Sequence, residues 1–321
     1  MGIRIISTGS YLPESIESVT AQTSSKENYD PELAWLFSGA QEHRICSEKE
    51  TSTYMGIQAA KNALTKGNID PATIDTVLSY TGVADHETPK DVYGIINGAG
   101  CDGAMAWTID TACASFLSHL HCANALSSMG RQRFLIIDSM NWVTRAFDDD
   151  TKRNGPGSLV GDGAGAIIAE TVPGRGNIID VLEITSTEDF NFIKMNSAQV
   201  SGDREYLAFT KSPKIIYRAF SILPETAQRL LEKNGLTPGD ISWTITHQPG
   251  INAIFKWHEM VGIPLERNLN TFKLYGNMSA ANIPVTLDHF ISHDQKINRG
   301  DLILAFTAGA GIHCAAALIE Y

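Results

Sequence analysis

The sequence lacks any long apolar segment. No stretch approaches the ~18 uninterrupted apolar residues of a membrane helix, and the N-terminal residues MGIRIISTGSYLPES hold only a short apolar run before turn residues. We therefore expect no membrane partner and no secretory signal, and we predict a first β-strand at the N-terminus.

Basic residues are also scarce. The 321 residues include 25 Lys and Arg against 36 Asp and Glu, which gives a net charge of −11. The chain has no run rich in Lys and Arg and no stripe of alternating basic and aromatic residues. This pattern argues against nucleic acid as a partner.

Cysteine is rare, with five residues at irregular spacing. An odd count without an export signal favours a cytoplasmic protein with free thiols over a disulfide framework. Hydrophobic residues make up 43% of the chain and charged residues 19%, so the composition excludes intrinsic disorder and allows a sizeable core.

The sequence does contain short apolar segments that alternate with longer stretches of helical period, which favours an α/β fold. The apolar segments are 4–9, 74–82, 133–138, 166–170, 243–248, 302–309 and 313–320. The helical stretches are 51–66, 90–99, 112–129, 212–234, 250–261 and 279–293.

The sequence also repeats itself at an offset of 167 residues. Residues 61–80 resemble residues 228–247, and the same offset aligns two later apolar strands. Short apolar strands can match by chance, but two matches at one offset, followed by similar glycine turns, favour a duplicated α/β unit. We predict two halves, 1–170 and 171–321.

The duplication places Cys113 opposite Ala280, each at the start of a stretch of small and apolar residues. These stretches, 112–130 and 279–290, predict two buried central helices whose N-termini face one crevice. In open α/β sheets, ligands bind in crevices beyond the carboxyl ends of the strands.

Three residues are candidates for chemistry in that crevice. Cys113 opens a helix, whose positive end favours a thiolate, while His247 ends a predicted strand and Asn277 precedes the second central helix. Each also has a plain structural interpretation, as a buried thiol, a loop histidine and a helix-capping amide. Together they form a nucleophile, a base and a neutral donor for a developing oxyanion or enolate.

Ordered motifs run through the whole chain. They are ISTGSYLPES (6–15), DTACASF (110–116), VGDGAGA (160–166), HQ (247–248), GNMSAANIP (276–284) and AGAGIHCAAALIE (308–320). With this set the chain resembles the thiolase superfamily, and specifically the ketoacyl-acyl-carrier-protein synthase III condensing enzymes. The resemblance implies a thiolase-like αβαβα five-layer fold of two duplicated halves, usually assembled as a homodimer.

The resemblance also implies a mechanism. Cys113 takes an acyl group from a thioester of coenzyme A or of an acyl carrier protein, and the N–H groups of Cys113 and Ala310 form an oxyanion hole. His247 and Asn277 then bind a malonyl-type thioester while CO₂ leaves, and the carbanion attacks the acyl-enzyme to give a 3-oxoacyl thioester. This chemistry belongs to an acyltransferase and requires no metal and no redox cofactor.

Five further residues are candidates for substrate binding, four of them through the resemblance. Trp35 matches a tryptophan that stacks on the adenine of coenzyme A. Arg153, in an insertion of the first half, either touches phosphate or lies in a solvated loop. Thr88 replaces a phenylalanine that enters the partner subunit's acyl pocket, which leaves space for an acyl group larger than acetyl. Asn252 replaces an arginine that meets the carrier protein, and Ala308 replaces an aromatic residue. These departures suggest a specialised fatty-acid or polyketide-like biosynthesis.

Two alternatives remain at this point. One is acyl transfer from Cys113 to an oxygen or nitrogen nucleophile without a new C–C bond, which Ala308 favours and Asn277 disfavours. The other is a non-catalytic partner subunit of a heteromeric synthase. A metal-binding His119–His121 pair is not expected, because side chains two positions apart on a helix point in different directions.

Overall fold

Two five-stranded sheets of the same topology form the framework of the structure. The computed structural model describes residues 1–19, 39–145, 159–188, 190–191, 193–201, 204–211 and 214–321, and within 193–220 it describes the backbone alone. The strands are β1 (Gly2–Tyr11), β2 (Ile16–Ser18), β3 (Glu42–Arg44), β4 (Thr76–Thr81), β5 (Met105–Thr108), β6 (Arg133–Met140), β7 (Gly163–Val172), β8 (Ile178–Thr185), β9 (Ile193–Ser201), β10 (Arg204–Lys211), β11 (Trp243–Thr246), β12 (Asn268–Leu269), β13 (Leu302–Gly309) and β14 (His313–Glu320). The helices are α1 (Ser52–Lys66), α2 (Asp91–Ala99), α3 (Ser115–Ser128), α4 (Trp142–Arg145), α5 (Lys214–Lys233), α6 (Ile251–Val261), α7 (Phe272–Tyr275) and α8 (Asn282–Ser292).

The two sheets repeat one strand pattern. The first has the order β1-β7-β6-β4-β5, with β4, β5 and β6 parallel and β7 and β1 added antiparallel. The second has the order β12-β11-β13-β14-β8, with β11, β12 and β13 parallel and β14 and β8 added antiparallel. Each strand of one sheet thus has a counterpart in the other, as the internal repeat predicts.

Apolar side chains divide the structure into five layers. One buried cluster packs α1 and α2 on the outer face of the first sheet, and another packs α5 and α6 on the outer face of the second. A third cluster joins α3 and α8 to the inner faces of both sheets. The predicted buried central helices are therefore confirmed, since their mostly small and apolar surfaces are enclosed on both sides.

The predicted elements agree closely with the observed ones. The stretch 51–66 forms α1 at Ser52–Lys66, and the segments 302–309 and 313–320 form β13 and β14. Strand β8 and the hairpin of β9 and β10 were not predicted. The first sheet draws its strands from residues 2–172 and the second from residues 178–320, while the division between 170 and 171 stays a prediction.

None of the helices in the described ranges has both the length and the apolar character needed to cross a bilayer.

Close backbone contact holds the outer helix α1 on the first sheet. A methyl group added to Gly9 of β1 would lie 2.3 Å from the nitrogen of Ala63 and 2.6 Å from the carbonyl oxygen of Ala59. The helix therefore packs directly on the strand backbone, and only a residue without a Cβ fits there.

We expect Gly9→Ala to destabilise the protein by about 1–3 kcal/mol, because a methyl group must push the helix away from the strand. Urea unfolding would measure the change. Gly239→Ala is the matched control, since its methyl group would meet only Thr237 Oγ1 at 3.5 Å. Equal stabilities of the two variants would contradict the close packing.

Candidate active site

The candidate nucleophile Cys113 sits in a strained turn. It is half-buried in the 3₁₀ turn Ala112–Ala114, which leads directly into α3. Ala112 has a φ of 52°, a left-handed conformation that costs a non-glycine residue roughly 1–2 kcal/mol. Asp110 Oδ1 accepts the N–H of Ala112 at 2.9 Å, and Ser115 Oγ donates to the carbonyl oxygen of Ala112 at 2.7 Å. The turn thus places the sulfur at the N-terminal end of α3, where the helix favours an anion.

The other four cysteines are poorer nucleophiles. Burial raises the pKa of Cys101 to about 11 and the pKa of Cys314 to about 12. Burial also raises the pKa of Cys46 and of Cys122. None of the five cysteines, all of which lie in the described ranges, forms a disulfide. Because the thiolate is the reactive form, the raised pKa values make these four thiols poorer nucleophiles than an ordinary cysteine.

A hydroxyl group from the second half of the chain contacts the nucleophile. Ser279 Oγ donates a hydrogen bond to Cys113 Sγ at 3.0 Å, and Asn277 Oδ1 accepts the N–H of Ser279 at 2.8 Å. That second bond orients the Asn277 amide, so its Nδ2 group is the end that can donate to a ligand. The Asn277 backbone is itself held by Leu159 and Gly161, at 2.7 Å and 3.0 Å.

His247 lies beside β13, the strand that contacts the nucleophile turn. It follows β11, and its N–H donates to the carbonyl of Phe306 at 3.2 Å. The next residue of β13, Thr307, donates its hydroxyl to the carbonyl of Cys113 at 2.9 Å. His247 is 7% exposed and lies at the carboxyl ends of the parallel strands β11 and β13. The structure therefore joins Cys113 to the Asn277 turn and places the backbone of His247 beside the strand that contacts Cys113. That the three side chains line one crevice stays a prediction.

The neighbouring Gln248 fixes the loop that carries His247. Its side chain is fully buried, its Nε2 donates to Thr286 Oγ1 on α8 at 2.8 Å, and its Oε1 accepts the N–H of Thr271 at 3.0 Å. In the HQ motif, Gln248 therefore has a structural role. It joins the end of β11 to the central helix α8, and this holds the backbone of His247 in place.

The glycine turn, residues 309–312, joins β13 to β14 and begins against the nucleophile turn. A methyl group added to Gly309 would lie 2.1 Å from the carbonyl oxygen of Thr111 and 3.3 Å from the nitrogen of Cys113. Only glycine permits this approach, and it brings the following residue, Ala310, close to the nucleophile turn. Ala310 is not among the described non-glycine residues with a positive φ, so its backbone does not require glycine.

Tyr80 is a buried phenol near the nucleophile turn. Burial raises the pKa of Tyr80 well above its usual value, and the charges of Asp110 and Cys113 raise it further. Tyr80 therefore remains a neutral phenol in this part of the site.

The two histidines of α3 point apart, as predicted. His119 is fully buried, with its Nε2 3.2 Å from the carbonyl oxygen of Ile109 and its Nδ1 3.4 Å from Asp138 Oδ1. Burial raises the pKa of Asp138, and His119 opposes that rise. His121 is exposed and its Nδ1 lies 3.0 Å from Glu183 Oε1. Across the described ranges, no group of three potential ligands is arranged to hold a metal ion.

Three residues with proposed substrate contacts lie in the described ranges. Thr88 is exposed in the loop before α2, and Asn252 is half-buried in the first turn of α6. Ala308 is half-buried and packs against the apolar cluster beneath α5 and α6. Because side chains alternate along a strand, Ala308 faces away from the side on which Thr307 reaches Cys113. Trp35 and Arg153 lie outside the described residues. All five assignments stay predictions.

Sequence reasoning missed the hydroxyl groups of Ser279 and Thr307. A signal for Ser279 was present, because the offset of 167 residues pairs it with Ala112, the residue before the nucleophile. The structure gives both residues almost the same strained backbone, with φ values of 50° and 52°. Thr307 had no comparable signal, because its role depends on which strand face meets α3.

Comparisons with known proteins find relatives that match the whole chain. A family model described as 3-oxoacyl-[acyl-carrier-protein (ACP)] synthase III C terminal matches residues 231–321. The chain is 30% identical over 321 residues to the β-ketoacyl-[acyl-carrier-protein] synthase III of Actinobacillus pleuropneumoniae serotype 5b, covering 99% of each protein. The relative of the same name from Aquifex aeolicus is 28% identical over 331 residues and is covered completely.

Solved structures show the same fold. The crystal structure of the Aquifex aeolicus 3-oxoacyl-[acyl-carrier-protein] synthase III superposes with a TM-score of 0.86 at 28% identity, over 100% of both chains. The priming β-ketosynthase of the R1128 polyketide biosynthetic pathway superposes with a TM-score of 0.85 at 25% identity, over 99% of this chain and 96% of that one. The predicted thiolase-like fold is confirmed. With this identity over the whole chain, the protein belongs to the β-ketoacyl-[acyl-carrier-protein] synthase III family of the thiolase superfamily.

Proposed function

We propose that the protein is a condensing enzyme that joins an acyl group held on Cys113 to a malonyl-type thioester, with release of CO₂ and a 3-oxoacyl thioester. The observation that carries this proposal is the 3.0 Å hydrogen bond from Ser279 Oγ to Cys113 Sγ. It joins the nucleophile of one half to the Asn277 turn of the other, so that acylation and carbanion formation share one crevice.

The first step is acylation of Cys113. His247 takes the proton of the Cys113 thiol, and the thiolate attacks the carbonyl carbon of an acyl thioester of coenzyme A or of an acyl carrier protein. A new C–S bond forms, the old C–S bond breaks, and the leaving thiolate receives the proton from His247. The N–H groups of Cys113 and Ala310 hold the negative oxygen of the tetrahedral intermediate. The hydroxyl of Ser279 favours the thiolate, because a hydrogen bond to a charged acceptor is stronger than one to a neutral acceptor.

The second step is decarboxylative condensation. The bond to the carboxylate of the malonyl-type thioester breaks, CO₂ leaves, and its electron pair moves into the enolate of the thioester. His247 and the Nδ2 group of Asn277 hold the enolate oxygen with neutral donors. The carbanion attacks the acyl carbonyl, the C–C bond forms, and the Cys113 thiolate is released.

The proposal includes the setting of the reaction. The reaction needs no metal or redox cofactor, since donors from the chain hold every developing charge. Acyl-coenzyme A and an acyl carrier protein are the proposed partners, a cytoplasmic homodimer is the proposed form, and a specialised fatty-acid or polyketide-like biosynthesis is the proposed context. The similarity to a polyketide priming synthase supports that context.

A second candidate function is acyl transfer to an oxygen or nitrogen nucleophile. The sequence suggested it through Ala308, but Ala308 packs toward the outer layer and faces away from Cys113, so the size of this residue does not act on the site. The ordered Asn277 amide favours condensation, because pure acyl transfer gains less from an enolate-binding donor.

We expect acyl thioesters to acylate Cys113 and Cys113→Ala to abolish the mass increase of the intact protein. Cys122→Ala is the matched control, since it removes a half-buried thiol of the same central helix. An increase in mass that survives in Cys113→Ala would reject Cys113 as the nucleophile.

We expect Asn277→Ala and His247→Ala each to lower CO₂ release from a malonyl thioester by roughly 10²-fold, because the enolate loses a donor. Acylation of Cys113 should continue in Asn277→Ala. Asn298→Ala, in an exposed loop, serves as the control. Turnover to an ester or amide without CO₂ would favour the second candidate instead.

We expect Ser279→Ala to slow the alkylation of Cys113 by iodoacetamide about 10- to 100-fold, because a hydrogen bond to a charged group contributes about 1.5–3 kcal/mol. Alkylation rates followed by mass spectrometry would test this. Ser127→Ala removes another buried hydroxyl, which donates to the carbonyl of Asn124 at 2.7 Å, and should leave the rate unchanged. An equal rate in both variants would show that the Ser279 contact does not affect the sulfur.

A further inference from the structure

A carboxylate outside the crevice collects three side-chain hydrogen bonds. Glu183, on β8, accepts from His313 Nε2 at 2.8 Å and from Ser118 Oγ at 3.2 Å on Oε2, and from His121 Nδ1 at 3.0 Å on Oε1. Ser118 and His121 lie on α3, the nucleophile's helix, whereas His313 begins β14. One side chain therefore links α3 to the strand that follows the glycine turn.

The hydrogen bonds run toward Glu183 from both sides. Ser118 gives its only hydroxyl proton to the carboxylate, so it must accept from Thr111 Oγ1, which lies 2.9 Å away. His313 Nε2 donates to the carboxylate, and its Nδ1 is hydrogen-bonded to Thr185 Oγ1 at 2.8 Å. We call these six residues the Glu183 network: Thr111, Ser118, His121, Glu183, Thr185 and His313.

Glu183 stays ionised in this setting. Burial acts to raise its pKa, but hydrogen bonds from His313 and His121 outweigh burial and hold the pKa below its usual value. Its side chain is 20% exposed, and the side chain of His313 is 16% exposed. Because Glu183 and His313 are largely shielded from water, their 2.8 Å hydrogen bond to the charged carboxylate is stronger than a bond at the exposed surface.

The two ends of the network flank the proposed oxyanion hole. Thr111 lies two residues before Cys113, and His313 lies three residues after Ala310. Between these ends the backbones already touch, since a methyl group on Gly309 would lie 2.1 Å from the carbonyl oxygen of Thr111. The contact limits how close the two segments come, and the Glu183 network limits how far they can slide or separate.

We propose that Glu183 is a positioning residue, which holds the nucleophile turn and the glycine turn in the register that lets the N–H groups of Cys113 and Ala310 meet one oxygen atom. This inference rests on the proposed function, because it assigns Glu183 to the oxyanion hole of that mechanism. Such donors lose most of their effect when displaced by about 1 Å, so the alignment needs a support of its own.

The test compares two reactions of the same sulfur. Acylation by an acyl thioester passes through an oxyanion, whereas alkylation by iodoacetamide displaces iodide and forms no oxyanion. We expect Glu183→Leu to lower the acylation rate of the whole protein about 10- to 100-fold, with the KM for the thioester and the alkylation rate within about twofold of wild type. Glu183→Gln should fall in between, because its carbonyl oxygen can still accept from His313 or Ser118. If Glu183→Leu fails to fold, Glu183→Gln alone carries the comparison.

A control completes the design. Asp180→Asn changes a carboxylate on the same strand with the same 20% side-chain exposure, but one that binds Lys233 instead of α3. This variant should keep wild-type acylation.

Each result decides the matter. Loss of acylation with intact alkylation supports the positioning role. Unchanged acylation in Glu183→Leu and Glu183→Gln, or an equal fall in acylation and alkylation, overturns it while the proposed function stands. Absence of acylation in the wild-type protein overturns both.

Discussion

The site depends on the meeting of two strained turns, one from each half of the chain. Ala112 and Ser279 occupy matching positions before the central helices, and both adopt a left-handed backbone with φ values of 52° and 50°. Such conformations persist only when neighbouring groups hold them. Asp110 and Asn277 do so with side-chain oxygens that accept backbone N–H groups. The turns then meet through the hydrogen bond between Ser279 and Cys113.

This construction suits chemistry in which negative charge appears and disappears. The chain carries a net charge of −11, so its overall field does not favour an anionic reaction centre. The proposed site instead supplies neutral hydrogen-bond donors at fixed positions: the hydroxyl of Ser279, the amide of Asn277 and backbone N–H groups. Fixed dipoles of this kind stabilise developing charge without reorganising during the reaction. The ionised Glu183, by contrast, lies outside the site and is held by its own hydrogen-bond partners.

Much of the fold could be predicted from local pattern. The central helices show as stretches of small and apolar residues because they are enclosed on both sides, and β13 and β14 show as continuous apolar strands. The internal repeat gave the matching order of strands in the two sheets. Strand β8 was not predicted, because its side chains are buried only in part and do not form a clear apolar run. The hairpin of β9 and β10 likewise carries no continuous apolar pattern.

The sequence by itself determined which residue types could react and roughly where each stands on its element: a cysteine opening a buried helix, a histidine ending a strand, an amide in a turn. Tertiary structure alone decided which hydroxyl meets the sulfur, that Ala308 faces the outer layer, and that Glu183 joins α3 to the strand after the glycine turn. Spacing along the chain sets the direction of a side chain relative to its own helix or strand. Contacts between elements far apart in sequence depend on how layers pack, and packing is a property of the whole core.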